Sequence, residues 1–240
     1  MAALRTESIE YRHGDAVLKG YLAYDDAVSG KQPGVLVVHE WWGLNDYART
    51  RAEKVAALGY VVFAADIYGE GKVTREAQEA GHLAGVFLKD RALLRARAQA
   101  ALGVLREHDR VDAARVAAIG YCFGGTTVLE LARANAAVRG VVSFHGGLKT
   151  PDAAATRAVK PKVLVLHGAE DPFVPAADVA AFQEEMRAAG ADWQMILLGG
   201  AQHSFTNPEA KGALEGALYD ERADRRSWEY MKLFFGEVLR

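Results

Sequence analysis

The chain has 240 residues, half of them hydrophobic, which is enough for one substantial core and short for two. A single domain over residues 1–240 is expected. With 29 basic and 31 acidic residues the net charge is −2, so bulk electrostatics give no reason to bind nucleic acid or an acidic membrane surface, and a small-molecule partner is expected. The opening residues meet a charge before any apolar run of signal-peptide length, and no later stretch approaches a membrane span; the expectation is a cytoplasmic protein.

In chain order, residues 7–12 and 17–24 alternate weakly around His13-Gly14-Asp15 and predict an antiparallel edge hairpin. Six short, apolar, β-branched runs follow, at 33–39, 60–66, 115–120, 140–145, 161–167 and 193–198, as expected of parallel strands buried on both faces. Between them, Leu94, Ala98, Ala101, Leu102 and Leu105 share one helix face, as do Trp228, Met231, Phe235 and Val238. Alternation of this kind predicts an α/β fold: a mostly parallel central sheet with helices on both faces, a three-layer sandwich whose ligands bind beyond the carboxyl ends of the strands. The alanine-rich 153–158 region predicts a loop or short helix, not a linker. The long stretch 69–89 predicts either a short lid or pocket wall, or a plain surface connection; no separate cap domain is expected.

The single cysteine excludes an internal disulfide or a cysteine-based zinc site and leaves a buried small hydrophobe or a reactive thiol. Gly120-Tyr121-Cys122-Phe123-Gly124-Gly125 lies between a predicted strand and a helical pattern over 126–135, the nucleophile-elbow arrangement with cysteine in place of serine. Glycine is one residue in ten here, so a chance bracket at both flanking positions has a probability of roughly 1%. The elbow reading therefore prevails. Phe123 N–H, in the first helical turn, is expected to donate to an oxyanion, and the helix N-terminus to favour the thiolate.

Asp171 stands just beyond the 161–167 strand and is the candidate orienting acid, with Glu170 as its neighbouring competitor and a turn or helix-capping role as the alternative. His203 follows the last strand in a small-residue loop and is the candidate base. Among the seven histidines, His39, His145 and His167 also end strands, as pocket or structural residues. The chain order nucleophile, acid, histidine selects Cys122, Asp171 and His203. No zincin spacing, phosphate-binding loop or dinucleotide fingerprint occurs, so no metal and no cofactor are expected.

These motifs, with His39-Glu40-Trp41-Trp42-Gly43-Leu44-Asn45, Asp66-Ile67-Tyr68, Asp171-Pro172-Phe173-Val174-Pro175 and His203-Ser204-Phe205, resemble the dienelactone hydrolase family of the α/β-hydrolase fold over nearly the whole chain. The resemblance implies that Glu40 accepts the thiol proton when substrate binds, that Trp41 N–H is a second oxyanion donor, and that Ser204 contacts substrate. Trp42, like Trp41, is a pocket candidate, although core packing is the commoner role of tryptophan. The arginine that holds a substrate carboxylate in the family has only an approximate counterpart in Arg75, with Arg91 as a further position to locate. The implied activity is hydrolysis of an ester or lactone of the carboxymethylenebutenolide type. A general carboxylesterase, an acyl-thioesterase and a non-catalytic binding protein are the alternatives; a monomer or weak homodimer is expected.

Overall fold

A computed structural model describes residues 4–151, 153 and 156–240. The hairpin of β1 (Leu4–His13) and β2 (Ala16–Asp25) pairs antiparallel in unbroken register from Leu4 opposite Asp25 to His13 opposite Ala16. Gly14, in the two-residue turn, has φ +57°, a conformation that glycine adopts without a Cβ penalty. Both strands extend beyond the expected limits, since their added end residues are exposed or half-buried, mostly polar, and leave no hydrophobic alternation to read.

There follow β3 (Gln32–Val38), α1 (Asp46–Ala56), β4 (Val61–Ala65), α2 (Ala77–Lys89), α3 (Arg91–Glu107), β5 (Val111–Tyr121), α4 (Phe123–Arg133), β6 (Gly140–Phe144), β7 (Lys162–Gly168), α5 (Ala176–Ala188), β8 (Trp193–Leu198) and α6 (Glu221–Val238). The eight strands form one sheet in the order β1-β2-β4-β3-β5-β6-β7-β8. From β4 to β8 all neighbours are parallel, and β2 joins β4 antiparallel. Every residue of β4 and β6 is buried, which is why these strands read as continuous apolar runs. Strand order reverses at β3, whose successor β4 lies on one side while β5 lies on the other. A crevice at the carboxyl ends of β3 and β5 is the place such a sheet offers a ligand.

Two cores sandwich the sheet. On one side, Leu94, Ala98, Ala101, Leu102 and Leu105 of α3 pack with Phe87 of α2, Val128 and Leu131 of α4 and Phe182 of α5. On the other, Ala48, Ala52 and Val55 of α1 pack with Met231, Phe235 and Val238 of α6. Each fully buried leucine, valine or phenylalanine contributes about 1.5–3 kcal/mol of transfer free energy. The three-layer α/β-hydrolase architecture expected from the alternation is present.

The stretch 69–89 is more ordered than its sequence suggests, because α2 occupies its second half. Only Ala80, Ala84 and Phe87 of that helix are buried, a stripe too short to stand out, and Gly81 and Gly85 weaken it further. Its first half is tied to the loop after β3: Thr74 N–H donates to the Trp42 carbonyl at 3.0 Å, and Gly43 forms an antiparallel bridge with Val73. Part of the alanine-rich 153–158 region lies outside the described residues. No described helix is long and apolar enough to cross a membrane.

Candidate active site

The elbow is built by close packing of backbone. Cys122 links β5 directly to α4 with φ +53° and ψ −114°, a left-handed conformation that a cysteine holds only when its surroundings enforce it. A Cβ on Gly120 would overlap the Gly124 carbonyl, and one on Gly124 would overlap Val38 of β3. Gly125 is equally constrained, since its Cβ would come within 2.8 Å of Gly146 Cα after β6. These glycines let α4 start at the strand tip, so the helix begins at Phe123, three residues before its hydrophobic pattern becomes visible. First-turn amides of α4, Phe123 N–H among them, have no carbonyl one turn earlier to bond.

Asp171 and His203 meet beyond β7 and β8. His203 Nδ1 lies 2.8 Å from Asp171 Oδ2, and Asp171 Oδ1 accepts from Phe173 N–H at 2.9 Å. The Asp171 side chain is fully enclosed. Glu170, its competitor in sequence, is exposed. With Nδ1 occupied by the carboxylate, the other ring nitrogen of His203 is left free of Asp171. Burial disfavours charge on this imidazole, but the negative charge of Cys122 and the Asp171 hydrogen bond outweigh it and raise the His203 pKa to about 10.

Glu40, two residues beyond β3, is 2% exposed. Its Oε2 accepts from Asn207 Nδ2 at 2.6 Å and its Oε1 from Ser204 Oγ at 3.3 Å. Burial raises its pKa, while the hydrogen bonds of Asn207 and Ser204 and the charges of His203 and Arg51 oppose the rise. Two neutral donors hold this buried carboxyl. Ser204 thus bonds Glu40 directly.

Behind Asp171 and His203, residues 203–207 form a loop anchored by several side chains that the sequence alone did not single out. Thr206 Oγ1 contacts His145 Nε2 at 2.7 Å and Tyr47 Oη at 2.6 Å, and its carbonyl accepts from Arg51. Arg51 of α1 is buried and paired with Asp224 of α6 at 2.7 Å. Asn207 is four residues beyond His203, and a polar side chain closely following a base histidine was the one available signal.

Trp41 and Trp42 are half-buried, with ring centroids 4.8 Å apart. The Trp41 ring approaches Gly81 of α2, and its carbonyl accepts from Tyr68 Oη at 2.8 Å. The stretch 69–89 therefore meets Trp41 at Gly81 and Trp42 at Thr74. Arg75 is exposed, and among the described residues no hydrogen bond or ion pair joins it to this cluster. Arg91, at the start of α3, donates to the Lys149 carbonyl at 3.4 Å, with Nε and Nη1 shielded and without a hydrogen-bond partner among the described residues.

Known proteins carry the same combination of fold and motifs. The chain is 41% identical to the dienelactone hydrolase-like promiscuous phosphotriesterase P91 from metagenomic libraries, with a TM-score of 0.96 and all of both chains covered. It is 42% identical to a structure named m3DLH, with a TM-score of 0.93 over 99% of this chain and 100% of that one. A Synechocystis protein named "Putative carboxymethylenebutenolidase" is 27% identical over 99% of this chain and 98% of its own length. The sequence profile of the dienelactone hydrolase family matches residues 18–239, from β2 through α6, and so spans Glu40, Cys122, Asp171 and His203. By that match the chain belongs to the dienelactone hydrolase family, whose members are ester and lactone hydrolases.

Proposed function

We propose that this hydrolase cleaves small carboxylic esters or lactones with Cys122 as nucleophile. The observation that carries the reading is the Asp171–His203 hydrogen bond, in which the charge of Cys122 helps to raise the His203 pKa, with the cysteine at the tip of a glycine-bracketed elbow. Cys122 Sγ attacks the substrate carbonyl carbon, and the amides of Trp41 and Phe123 stabilise the oxyanion. The imidazolium of His203 gives its proton to the leaving oxygen as the C–O bond breaks, leaving a thioester. His203 then deprotonates water, which attacks the thioester carbon; the acid departs and the thiol is restored. Asp171 fixes the ring and stabilises its charged form.

Glu40 is proposed as a second acceptor for the thiol proton, released from Ser204 and Asn207 when substrate occupies the crevice. His203 is the competing acceptor. Replacement by glutamine discriminates: slower alkylation or turnover in Glu40→Gln supports the assignment, and unchanged kinetics return Glu40 to a structural role.

The test of the main reading is Cys122→Ala, which should abolish hydrolysis of aryl esters and cis-dienelactone with unchanged circular dichroism. Retained activity would remove the mechanism. Mass spectrometry of the parent protein with a slow ester should show acylation on Cys122. Aryl esters, lactones and acyl thioesters in one panel separate lactonase, carboxylesterase and thioesterase activity.

A phosphotriester is a second substrate class, suggested by the full-length resemblance to P91. Cys122 would attack phosphorus, expel an aryloxide and leave an S-phosphoryl enzyme for water to open. Release of nitrophenolate from paraoxon, absent in Cys122→Ala, tests it. The setting we propose is a single-domain, monomeric or weakly dimeric protein in the cytoplasm, because an unpaired nucleophilic thiol persists best in a reducing compartment. Sedimentation velocity checks the assembly.

A further inference from the structure

We propose that His145 is a positioning residue that sets the nucleophile elbow against the loop carrying the base. The inference rests on the proposed role of Cys122. His145 follows β6, is fully buried, and has φ +40°, a backbone conformation uncommon for residues other than glycine. A strained, enclosed histidine with both ring nitrogens engaged is held there by its contacts.

Those contacts join two separate parts of the site. The Cys122 N–H donates to the Phe144 carbonyl at 3.0 Å and also to His145 Nδ1 at 3.1 Å. An amide can donate to Nδ1 only where that nitrogen carries no proton, so the hydrogen of the neutral ring is on Nε2. Nε2–H then donates to Thr206 Oγ1 at 2.7 Å. Thr206 belongs to the segment that carries His203, Ser204 and Asn207, the base and the two donors to Glu40. One imidazole thus bridges the backbone of the nucleophile to the loop that presents its base.

The anchor on the far side is firm. Thr206 is held at its hydroxyl by Tyr47 and at its carbonyl by Arg51, which is itself fixed by Asp224. Charge on His145 would turn an Nδ1–H against the Cys122 N–H. Burial, followed by the positive charges of His203 and Arg51, holds its pKa well below the usual histidine value and keeps the ring neutral. His145 touches no reacting atom; it acts through the placement of Cys122 and His203.

The experiment combines tautomer detection with a mutant cycle in the full-length protein. In ¹⁵N-edited spectra of the parent, His145 should show an unprotonated Nδ1 and a protonated Nε2; the opposite tautomer overturns the proposal. With p-nitrophenyl acetate, His145→Phe should lower kcat by about 10²-fold with KM little changed, the penalty expected of a misplaced catalytic pair. Thr206→Val should lower kcat by about 10-fold, and the double variant should be no slower than His145→Phe, since both break one bridge. His145→Asn, whose residue type tolerates positive φ and whose amide oxygen can replace Nδ1, should recover part of the loss. If His145→Phe does not fold, His145→Asn and Thr206→Val complete the same cycle.

Independent, multiplying losses, or kcat near that of the parent in folded single variants, overturn the positioning role. Cys122→Ala run alongside separates the two hypotheses. An inactive Cys122→Ala beside normal His145 and Thr206 variants removes only this proposal, whereas an active Cys122→Ala removes the nucleophile assignment beneath it.

Discussion

Cys122 acts on the protonation of His203. The charge of Cys122, with the Asp171 hydrogen bond, raises the His203 pKa to about 10 against the effect of burial. Removing the sulfur leaves burial opposed by Asp171 alone. In Cys122→Ala the His203 pKa, followed by imidazole NMR shifts, should therefore fall below about 10; an unchanged value would show that the two side chains are not coupled. Glu40 allows a prediction of stability. Its folded pKa lies above the ordinary 4.5, so the folded state binds the extra proton more tightly than the unfolded chain does. Stability conferred by the neutral acid is therefore lost as pH rises from about 4.5 through the raised value. Glu40→Gln lacks this loss. Its melting temperature relative to the parent should be higher at pH 8 than at pH 4, and a constant difference would contradict the shift.

At the scale of elements, the junction of β5 with α4 depends on backbone approaching backbone. A methyl group on Gly124 meets Val38 of β3, which has no side-chain freedom with which to yield. Gly124→Ala should cost about 1–3 kcal/mol in urea unfolding, as overpacking does, and should also reduce activity by moving the elbow. Helix α1 gives a milder case. Asn45 caps it by accepting from Ala48 N–H at 3.2 Å, so Asn45→Ala should cost about 1 kcal/mol with little effect on turnover. A large loss of activity there would mean that α1 supports the site through more than Arg51 and Tyr47.

At the scale of the molecule, the layers on either side of the sheet are fastened differently. Arg51 and Asp224 join α1 to α6 and end on the Thr206 carbonyl, so one ion pair supports both the outer layer and the loop that carries His203. Across the sheet, Glu130 and Arg133 of α4 pair with Arg95 of α3 and Glu185 of α5. Removing one partner of a buried pair leaves a charge without compensation. Asp224→Ala should destabilise the fold by roughly 3 kcal/mol, the low end for such pairs because Asp224 keeps some contact with water, and should lower kcat as the loop loosens. Stability loss without any change in kcat would separate the outer layer from the site.

The sequence by itself determined the layers and the chain order of Cys122, Asp171 and His203, the proposed triad. Parallel strands buried on both faces must be continuous apolar runs, and a strand-to-helix turn as tight as that at Cys122 must be bracketed by glycine. These are local requirements, and they leave local marks. The helix at Ala77–Lys89 left too faint a mark because it buries one short stripe. Arg75 matched by position along the chain but projects into solvent, since spacing in sequence carries no direction in space. Only the tertiary structure decided which partners the polar side chains have. Asn207 and Ser204 reach Glu40 from more than 160 residues away, and His145 reaches both Cys122 and Thr206. A hydrogen bond between distant segments constrains residue type only weakly and has no period, so it becomes legible once the sheet has brought the strand ends together.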